Sequence, residues 1–430
     1  MSIQSKILNF MLKKYVKDVH PPVEERSYIE ARKMMNQEGY VDQDSSLGSK
    51  LLQKLIFNKS KSSIDIKEIY LSETRTLHFI NKNSDKEKCI LYLHGGGYVA
   101  GSPETHQNML VTLAKLSSIQ IFAIDYSLSP ESNFSKAIDE TISSYNALLE
   151  RGFKNENIYF GGDSAGGNLT LVSTLKLQEL NQQLPSKLFL LSPWTDLTGE
   201  GRSIKENSKS DPYLSYDNWL NTSLSMQKTV KEWYAPNQDY KNPLISPVFA
   251  KYSNYPKTLI QVSDIEILYS DSLDLESKIK HGNNEVTLSV YKNLPHVWQI
   301  FGIEPRAALV SYSNFGKPFT ERSVFMRDAK KILDERNVDF EYDGEMGANT
   351  ALNENLMSLY PFCKLTGPAN LLIMPAIHSA SISTKMLQEL GGGTLVGPYL
   401  VGFKESIQIA PLGANVADIV NLAALSAFKS

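Results

Sequence analysis

Short apolar runs separated by polar or helical stretches recur between residues 61 and 303. Residues 89–93, Cys-Ile-Leu-Tyr-Leu, form a continuous apolar run, which is typical of a parallel strand buried on both faces. Residues 66–71 and 75–80 predict a pair of strands separated by a Ser-Glu-Thr turn. Further strands are predicted at residues 118–124, 158–160, 187–191, 258–262 and 286–291, and helices at 138–149 and from 168 to about 182. This alternation predicts an α/β fold whose mostly parallel sheet is covered on both faces.

Two stretches depart from this pattern. Residues 3–16 are apolar at helical spacing with lysines between, which predicts an amphipathic helix packed on its own protein, with peripheral membrane contact as the alternative. Residues 17–60 alternate helical patches with polar stretches, so we interpret residues 1–60 as an N-terminal cap segment. Residues 197–245 interrupt the strand–helix alternation, and we expect this insertion to help roof a site above the sheet.

Length, charge and cysteine content narrow the class of protein. A chain of 430 residues predicts two domains. A net charge of −3 gives no reason to expect nucleic acid or a strongly acidic substrate as a partner. The two cysteines, Cys89 and Cys363, form no disulfide framework or metal set, which favours a reducing cytoplasm. No apolar run reaches the roughly 18 residues that a transmembrane helix needs, and no signal-peptide pattern is present.

The strongest chemical signal is Gly162-Asp163-Ser164-Ala165-Gly166, which follows the strand at 158–160 and precedes a helix. In this strand–turn–helix context the G-x-S-x-G pattern exposes a nucleophilic serine on a strained turn. Small neighbours let the strand and the helix pass closely. We therefore predict Ser164 as a nucleophile, with free N–H groups of the following helix directed at negative charge beside it. A serine between two glycines in an ordinary loop is the alternative.

A glycine-rich turn, His94-Gly95-Gly96-Gly97, closes the strand at 89–93. Consecutive glycines can turn tightly and present backbone N–H groups to a substrate oxygen, and the N–H of Ala165, the residue after the nucleophile, would complete such an oxyanion hole. A flexible glycine turn without a role is the alternative.

A serine hydroxyl needs a base to accept its proton. In this fold the base follows the acid, and both lie C-terminal to the serine. His281 lies in a polar loop typical of a surface, whereas His296 follows the strand at 286–291, so we predict His296 as the base.

The acid should lie in the loop after the strand at 258–262, where three carboxylates compete. Asp271 is deeper in the following helix and is expected to cap it or to face solvent. Spacing alone does not separate Asp264 from Glu266, since either could orient the imidazole and stabilise its protonated form.

These residues carry a resemblance. Residues 1 to about 303 resemble the hormone-sensitive-lipase-type esterases of the α/β-hydrolase fold at residues 94–97, 125–131, 162–168, 191–197, the acid loop and 295–298. The resemblance implies Glu266 as the acid, with Asp264 as the alternative, and Gly96 and Gly97 as oxyanion donors beside Ala165. It also implies an N-terminal helical cap over an acyl pocket, short- to medium-chain esters as substrates, and no metal or cofactor. One departure is Ser127, where the family usually has Arg, which puts local stability in question.

Residues 304–430 begin a new pattern where a closing helix would be expected. A strand and turn are predicted at 304–316, a helix at 323–336, and alternating elements from there to Phe428. This tail resembles the C-terminal part of the phosphotransacetylase-like domain that ends bacterial NADP-dependent malic enzymes, at residues 332–336, 339–346, 365–370 and 379–392. The predicted organisation is therefore a cap (1–60), an α/β-hydrolase domain (61–303) and a partial phosphotransacetylase-like α/β domain (304–430).

The tail lacks a residue pair that phosphotransacetylases carry. Their Ser-Arg pair matches residues 409–413, Ile-Ala-Pro-Leu-Gly, which contain neither residue, so no fixed cation is present there to bind phosphate. We expect no acetyl transfer by the tail. The resemblance leaves acetyl-CoA binding and homodimerisation as hypotheses, with a passive extension as the simpler alternative. His378 is expected at a helix start without a catalytic role.

The sequence thus predicts a cytoplasmic serine carboxylesterase that needs neither metal nor cofactor and acts on a small-molecule ester. Two alternatives stay open: an inactive fusion product, and a regulatory module that responds to acetyl-CoA through the tail.

Overall fold

The computed structural model describes Asn9, Arg32 and residues 64–214, 229–301, 306–336, 341–365 and 367–391. The chain divides into two compact units, Met1–Ile303 and Glu304–Ser430. Most of the predicted cap segment (1–60), including the helix at 3–16, lies outside the described residues, as do part of the insertion at 197–245 and the stretch at 409–413.

The described part of the first unit is organised around an eight-stranded sheet. Its strands are β1 (Asp65–Leu71), β2 (Thr74–Ile80), β3 (Asp85–Leu93), β4 (Ile119–Ile124), β5 (Ile158–Asp163), β6 (Lys187–Leu191), β7 (Lys257–Ser263) and β8 (Val286–Tyr291). Their spatial order is β1-β2-β4-β3-β5-β6-β7-β8. Only the pairs β1–β2 and β2–β4 are antiparallel, which confirms the mostly parallel sheet.

Register brings the carboxyl ends of five neighbouring strands, β3, β5, β6, β7 and β8, to one edge. Leu93 pairs with Gly162, Asp163 with Leu191, and Ser263 with Tyr291. In open parallel sheets ligands bind in the crevice outside this edge. The loops that follow β3, β5, β7 and β8 are those that carry the predicted site residues.

Helices cover both faces of this sheet. They are α1 (Gln107–Ser117), α2 (Phe134–Glu150), α3 (Ala165–Glu179), the short α4 (Arg202–Glu206) and α5 (Tyr269–His281). Strand β3 shows the two faces: Leu91 and Leu93 lie in one apolar core with residues of α2 and α3, whereas Ile90 and Tyr92 lie in another with residues of α1. Alternate side chains of a strand point to opposite faces, so an apolar run at β3 is buried on both sides.

The second unit has a smaller sheet of order β10-β9-β11 in the residues described. Its elements are β9 (Arg306–Val310), α6 (Glu321–Arg336), β10 (Glu341–Met346), α7 (Ala348–Leu352), α8 (Glu354–Met357), β11 (Leu371–Ile373) and α9 (Ile377–Gly391). Both pairings are parallel, and the core around Ala308, Val310 and Met346 is small. His378 is the second residue of α9 and is exposed, which agrees with the predicted position at a helix start.

Candidate active site

Ser164 occupies a sharp turn between β5 and α3. Its backbone has φ 51° and ψ −117°, a region that side-chain-bearing residues rarely adopt. The turn depends on two glycines, since a Cβ added to Gly162 would lie 2.3 Å from the carbonyl oxygen of Gly166, and one added to Gly166 would lie 2.0 Å from that of Leu93. The predicted strand–turn–helix context of Ser164 is therefore present.

The glycine turn after β3 has the backbone that its sequence indicates. Gly96 has φ 125° and Gly97 has φ 63°, both in the left-handed region that favours glycine. The carbonyl of Gly96 accepts hydrogen bonds from the N–H groups of Val99 and Ala100, at 3.2 and 3.0 Å. Among the described residues none accepts a hydrogen bond from the N–H of Gly96, Gly97 or Ala165. These three donors are thus available to an oxyanion.

His296 and Glu266 form a direct pair. The Nδ1 of His296 lies 2.7 Å from Oε2 of Glu266, and both side chains are almost fully buried. The second carboxylate oxygen of Glu266 accepts hydrogen bonds from the hydroxyl of Ser192 at 2.8 Å and from the N–H of Ser263 at 2.7 Å. The two donors to Oε1 hold the carboxylate in place, and its Oε2 is directed at Nδ1 of His296, which orients the imidazole.

The loop after β6 connects this pair with the serine turn. The N–H of Ser164 donates to the carbonyl of Leu191 at 2.9 Å, and the carbonyl of Ser164 accepts from the N–H of Trp194 at 3.0 Å. Between these two residues lies Ser192, whose hydroxyl binds Glu266 and accepts from the N–H of Val297 at 3.4 Å. One short segment thus holds the turn of Ser164 and the Glu266–His296 pair together.

Charges around His296 favour its protonated form. Burial alone would lower the pKa of His296, but the hydrogen bond and charge of Glu266, together with the charges of Asp211 and Asp163, raise it overall. Burial also raises the pKa of the Glu266 carboxyl, although the hydrogen bond from His296 opposes this shift. A base held by a buried carboxylate in this way can accept a proton and stabilise the resulting imidazolium.

The other two carboxylates of the acid loop point elsewhere. Asp264 accepts a hydrogen bond from the N–H of Asn293 at 2.8 Å. Asp271 was expected to cap its helix or to face solvent, and this is wrong: it is 2% exposed and its Oδ2 accepts hydrogen bonds from the N–H groups of Thr195 and Asp196, both at 2.8 Å. The physical reason is that two backbone N–H groups of the loop after β6 need an acceptor, and the carboxylate of Asp271 supplies it. His281 is exposed, as predicted.

Sequence reasoning missed a second buried carboxylate near His296. Asp211 is fully buried, accepts hydrogen bonds from the N–H groups of Tyr213 and Leu214 at 2.9 Å each, and accepts a third from Ile267, next to Glu266, at 3.0 Å. Burial raises the pKa of Asp211, and the charge of His296 opposes that shift. The sequence signal at this position was the pair Asp211-Pro212 within the insertion at 197–245. Such a pair is common in turns, and it does not indicate that Asp211 would contact the acid loop.

Asn168 is another buried connector that the sequence did not single out for a role. Its Oδ1 accepts a hydrogen bond from the hydroxyl of Tyr98 at 2.6 Å, while its Nδ2 donates to the carbonyls of Trp194 and Ile245. It therefore joins the segment after the glycine turn to the helix that starts at the serine turn.

The described residues contain no group of three or more histidine, cysteine, aspartate or glutamate side chains placed to hold a metal ion. Within the same residues, no helix combines the length and apolarity required to cross a bilayer.

Comparison with known proteins separates the two units. Residues 90–300 match the family model of the alpha/beta hydrolase fold, and residues 289–427 match that of phosphate acetyl/butaryl transferase. An NADP-dependent malic enzyme of Rhizobium meliloti is 60% identical over 129 residues, which cover 30% of this chain and 17% of that enzyme. This chain therefore spans only a small part of the malic enzyme that it matches.

The first unit is similar to esterases over most of their length. An esterase of Acinetobacter venetianus is 31% identical over 256 residues, which cover 59% of this chain and 82% of that esterase. The crystal structure of an esterase from the bacterial hormone-sensitive lipase family is 26% identical with a TM-score of 0.61, covering 70% of this chain and 92% of that one. With the sheet topology, the serine turn and these likenesses in agreement, the chain belongs to the α/β-hydrolase fold family of hormone-sensitive-lipase-type esterases.

Proposed function

We propose that the first unit is a serine carboxylesterase that hydrolyses short- to medium-chain carboxylic esters, with Ser164 as nucleophile, His296 as base and Glu266 as acid. The observation that carries this proposal is the hydrogen-bonded connection from the strained turn of Ser164 through the loop at 191–194 to the buried Glu266–His296 pair. The likeness to esterases supports the reaction class.

The reaction follows from these groups. The hydroxyl of Ser164 attacks the ester carbonyl carbon while His296 accepts its proton. The N–H groups of Gly96, Gly97 and Ala165 donate hydrogen bonds to the oxyanion that develops, which stabilises the tetrahedral intermediate. His296 then gives the proton to the departing alcohol. Water then attacks the acyl-enzyme while His296 accepts its proton. The bond between the acyl carbon and the Ser164 oxygen breaks, His296 gives that proton to the serine oxygen, and the carboxylic acid leaves the restored enzyme.

The electrostatic setting supports the same assignment. Because neighbouring carboxylates raise the pKa of His296, the protonated imidazole that forms during each attack is stabilised where it is needed. The three candidate oxyanion donors are backbone groups on a strand-end turn and a helix start, so they require no rearrangement to meet the developing charge.

The second unit adds no proposed reaction. Homodimerisation and acetyl-CoA binding by residues 304–430 stay predictions, as does a cytoplasmic location. The cysteines Cys89 and Cys363 are both free thiols, which is compatible with a reducing compartment.

A fluorophosphonate probe tests the nucleophile directly. We expect stoichiometric labelling of the purified full chain, loss of labelling in Ser164→Ala, and full labelling in Ser253→Ala, which alters an exposed serine. Hydrolysis rates across a p-nitrophenyl ester series from acetate to laurate should fall for the longer acyl chains. Absence of an adduct on folded, monodisperse protein would favour the inactive fusion product, and a preference for the longest acyl chains would contradict the proposed substrate class.

A further inference from the structure

A second buried histidine–carboxylate pair lies behind the glycine turn. The Nε2 of His106, in the loop before α1, is 3.1 Å from Oδ2 of Asp163, and both side chains are no more than 5% exposed. Asp163 is the residue immediately before Ser164. The proposed mechanism uses neither member of this pair.

Asp163 bonds the serine turn to the glycine turn. Its Oδ1 accepts a hydrogen bond from the N–H of Gly95 at 3.0 Å and another from the hydroxyl of Tyr92 at 2.7 Å. The space is tight, since a Cβ added to Gly95 would lie 2.2 Å from Oδ2 of the same carboxylate. This side chain thus ties the turn that carries the nucleophile to the turn that carries the candidate oxyanion donors Gly96 and Gly97.

Both ring nitrogens of His106 face hydrogen-bond acceptors. Nε2 faces the carboxylate of Asp163, while Nδ1 lies 3.2 Å from the carbonyl of Ser102 and 2.8 Å from Oγ1 of Thr105. The hydroxyl of Thr105 donates its proton to the same Ser102 carbonyl at 2.7 Å, which leaves it as an acceptor toward Nδ1. An imidazole that donates from both nitrogens is an imidazolium.

The electrostatic surroundings of His106 and Asp163 favour the charged form of both side chains. Burial would lower the pKa of His106, but the charge and hydrogen bond of Asp163 raise it, and His106 in turn lowers the pKa of Asp163 against the effect of burial. In the described part of the chain, the other titratable rings beside His106 are those of His94 and Tyr92, with ring centroids at 5.7 and 6.3 Å. Burial lowers the pKa of His94 to about 4 and raises that of Tyr92, so neither carries charge at neutral pH.

A buried carboxylate beside a developing oxyanion opposes catalysis unless a cation balances it. Unlike charges in a low-dielectric interior attract strongly and like charges repel equally strongly. An uncompensated Asp163 would raise the energy of the negative charge that forms at the neighbouring turn. It would also weaken the hydrogen bond from the N–H of Gly95, because a buried carboxylate without a counter-charge tends to become hydrated or protonated.

We propose that His106 is a positioning residue of the esterase, held as an imidazolium whose charge balances Asp163, so that this carboxylate can fix the glycine turn against the nucleophile turn without repelling the oxyanion. The inference rests on the proposed esterase function. It assigns His106 and Asp163 an effect on the rate of acyl transfer and little effect on substrate binding, because the oxyanion exists only in the transition state and intermediate.

The test compares His106→Gln with the double variant His106→Gln/Asp163→Asn in the full chain. The single variant keeps a hydrogen-bond donor but loses the charge, and we expect kcat to fall about 10- to 100-fold while KM changes less than about threefold. In the double variant Asn can still accept from Gly95 and Tyr92 while its amide N–H faces the Gln carbonyl, and we expect kcat to return to within about fivefold of the unmodified protein. A wild-type kcat in the single variant, or a double variant as slow as the single one, overturns the proposal.

The protonation state of His106 can also be measured in the unmodified protein, where the result depends neither on the folding of a variant nor on esterase activity. In protein labelled with ¹⁵N-histidine, His106 can be assigned through nuclear Overhauser contacts with the ring of Tyr92, and at neutral pH both of its nitrogens should show imidazolium shifts. A neutral imidazole signal at His106 overturns the proposal even if every variant is inactive. If the unmodified protein neither hydrolyses esters nor reacts with fluorophosphonate, the esterase proposal fails, whereas the protonation state of His106 is still decided by its spectrum.

Discussion

At the scale of single residues, the carboxylate of Glu266 is distinguished from that of Asp264 by its partners. Glu266 is fully buried and divides its oxygens between His296 on one side and Ser192 and Ser263 on the other. Asp264 instead accepts from the N–H of Asn293. If Glu266 is the acid, its substitution should lower the rate of ester hydrolysis, whereas substitution of Asp264 should not.

Glu266→Gln should reduce kcat by a factor on the order of 10⁴, because an amide that donates to Nδ1 or fails to accept from it holds the wrong tautomer of His296. Asp264→Asn is the matched control, since its oxygen can still accept from Asn293, and we expect its kcat to stay within about threefold of the unmodified protein. Steady-state hydrolysis of p-nitrophenyl butyrate measures both. The opposite ranking of the two variants would assign the acid to Asp264.

Asp271 illustrates a stability effect at one residue. Its Oδ1 has no hydrogen-bond partner among the described residues, and burial raises the pKa of this carboxyl to about 8. The folded protein therefore binds a proton that the unfolded chain releases near pH 4. The stability that depends on this proton is complete below about pH 4, declines as the pH rises, and is lost above about pH 8.

Asp271→Asn removes this titration while its side-chain oxygen can still accept from Thr195 and Asp196. We expect the free energy of unfolding of the variant, relative to the unmodified protein, to increase by on the order of 2 kcal/mol between about pH 5 and pH 9. Urea unfolding at both pH values measures this difference. Asp139→Asn alters an exposed carboxylate on α2 and should show no such change; parallel pH dependences for Asp271→Asn and the unmodified protein would contradict the prediction.

At the scale of elements, the sequence predicted the buried strands well and the connections poorly. The strands at 187–191 and 286–291 have the predicted bounds. β6 is an apolar run after Lys187, as expected of a strand inside a parallel sheet, whereas β8, at the edge of the sheet, alternates apolar and polar residues. Helix α1 was not predicted, since it begins after His106, which makes no side-chain cap hydrogen bond and is not a residue type that marks a helix start. The bonds from Asp211 and Asp271 to distant loops are tertiary, and no local pattern encodes them.

The departure at Ser127 shows the same limit. A serine in place of the family's usual Arg put local stability in question, yet the N–H and the hydroxyl of Ser127 each donate to the carboxylate of Glu140 on α2, both at 2.6 Å. The partner lies 13 residues along the chain. The sequence indicated which residue was unusual and could not indicate what it contacts.

Asp211 provides a prediction for the segment that connects the insertion to the acid loop. Asp211→Asn should keep the two turn hydrogen bonds at Tyr213 and Leu214, lose the bond from Ile267, and remove a negative charge near His296. Because that charge raises the pKa of His296, its loss should lower this pKa and move the acid limb of the kcat/KM profile to lower pH, with kcat about tenfold lower from the loosened acid loop.

The control for this variant is Asp239→Asn. Asp239 is exposed, and its carboxylate accepts from the N–H of Lys241 in a similar turn. Its kcat/KM profile should coincide with that of the unmodified protein. An acid limb that stays in place in Asp211→Asn, or that moves to higher pH, would show that the charge of Asp211 does not act on His296.

At the scale of the whole molecule, the two units differ in how completely they bury apolar surface. The first contains the entire eight-stranded sheet of the described chain and every proposed site residue. The second has, in its described residues, a three-stranded sheet and large exposed apolar side chains, among them Ile377 at 80%, Phe319 at 71% and Leu359 at 70%. The malic enzyme that resembles this unit is matched over only 17% of its length. The match therefore leaves out most of that enzyme. Exposed apolar surface of this extent favours self-association.

Comparison of the full chain with a version ending at Ile303 tests this difference. We expect both proteins to be labelled by fluorophosphonate at Ser164, because the site and its sheet belong to the first unit. We also expect the full chain to bind more of the dye ANS and to sediment as larger species, and the shorter version to lose both properties as the apolar side chains of the second unit are removed. A shorter version that fails to fold, or that binds more dye than the full chain, would contradict this prediction and show that the hydrolase needs residues 304–430 for its stability.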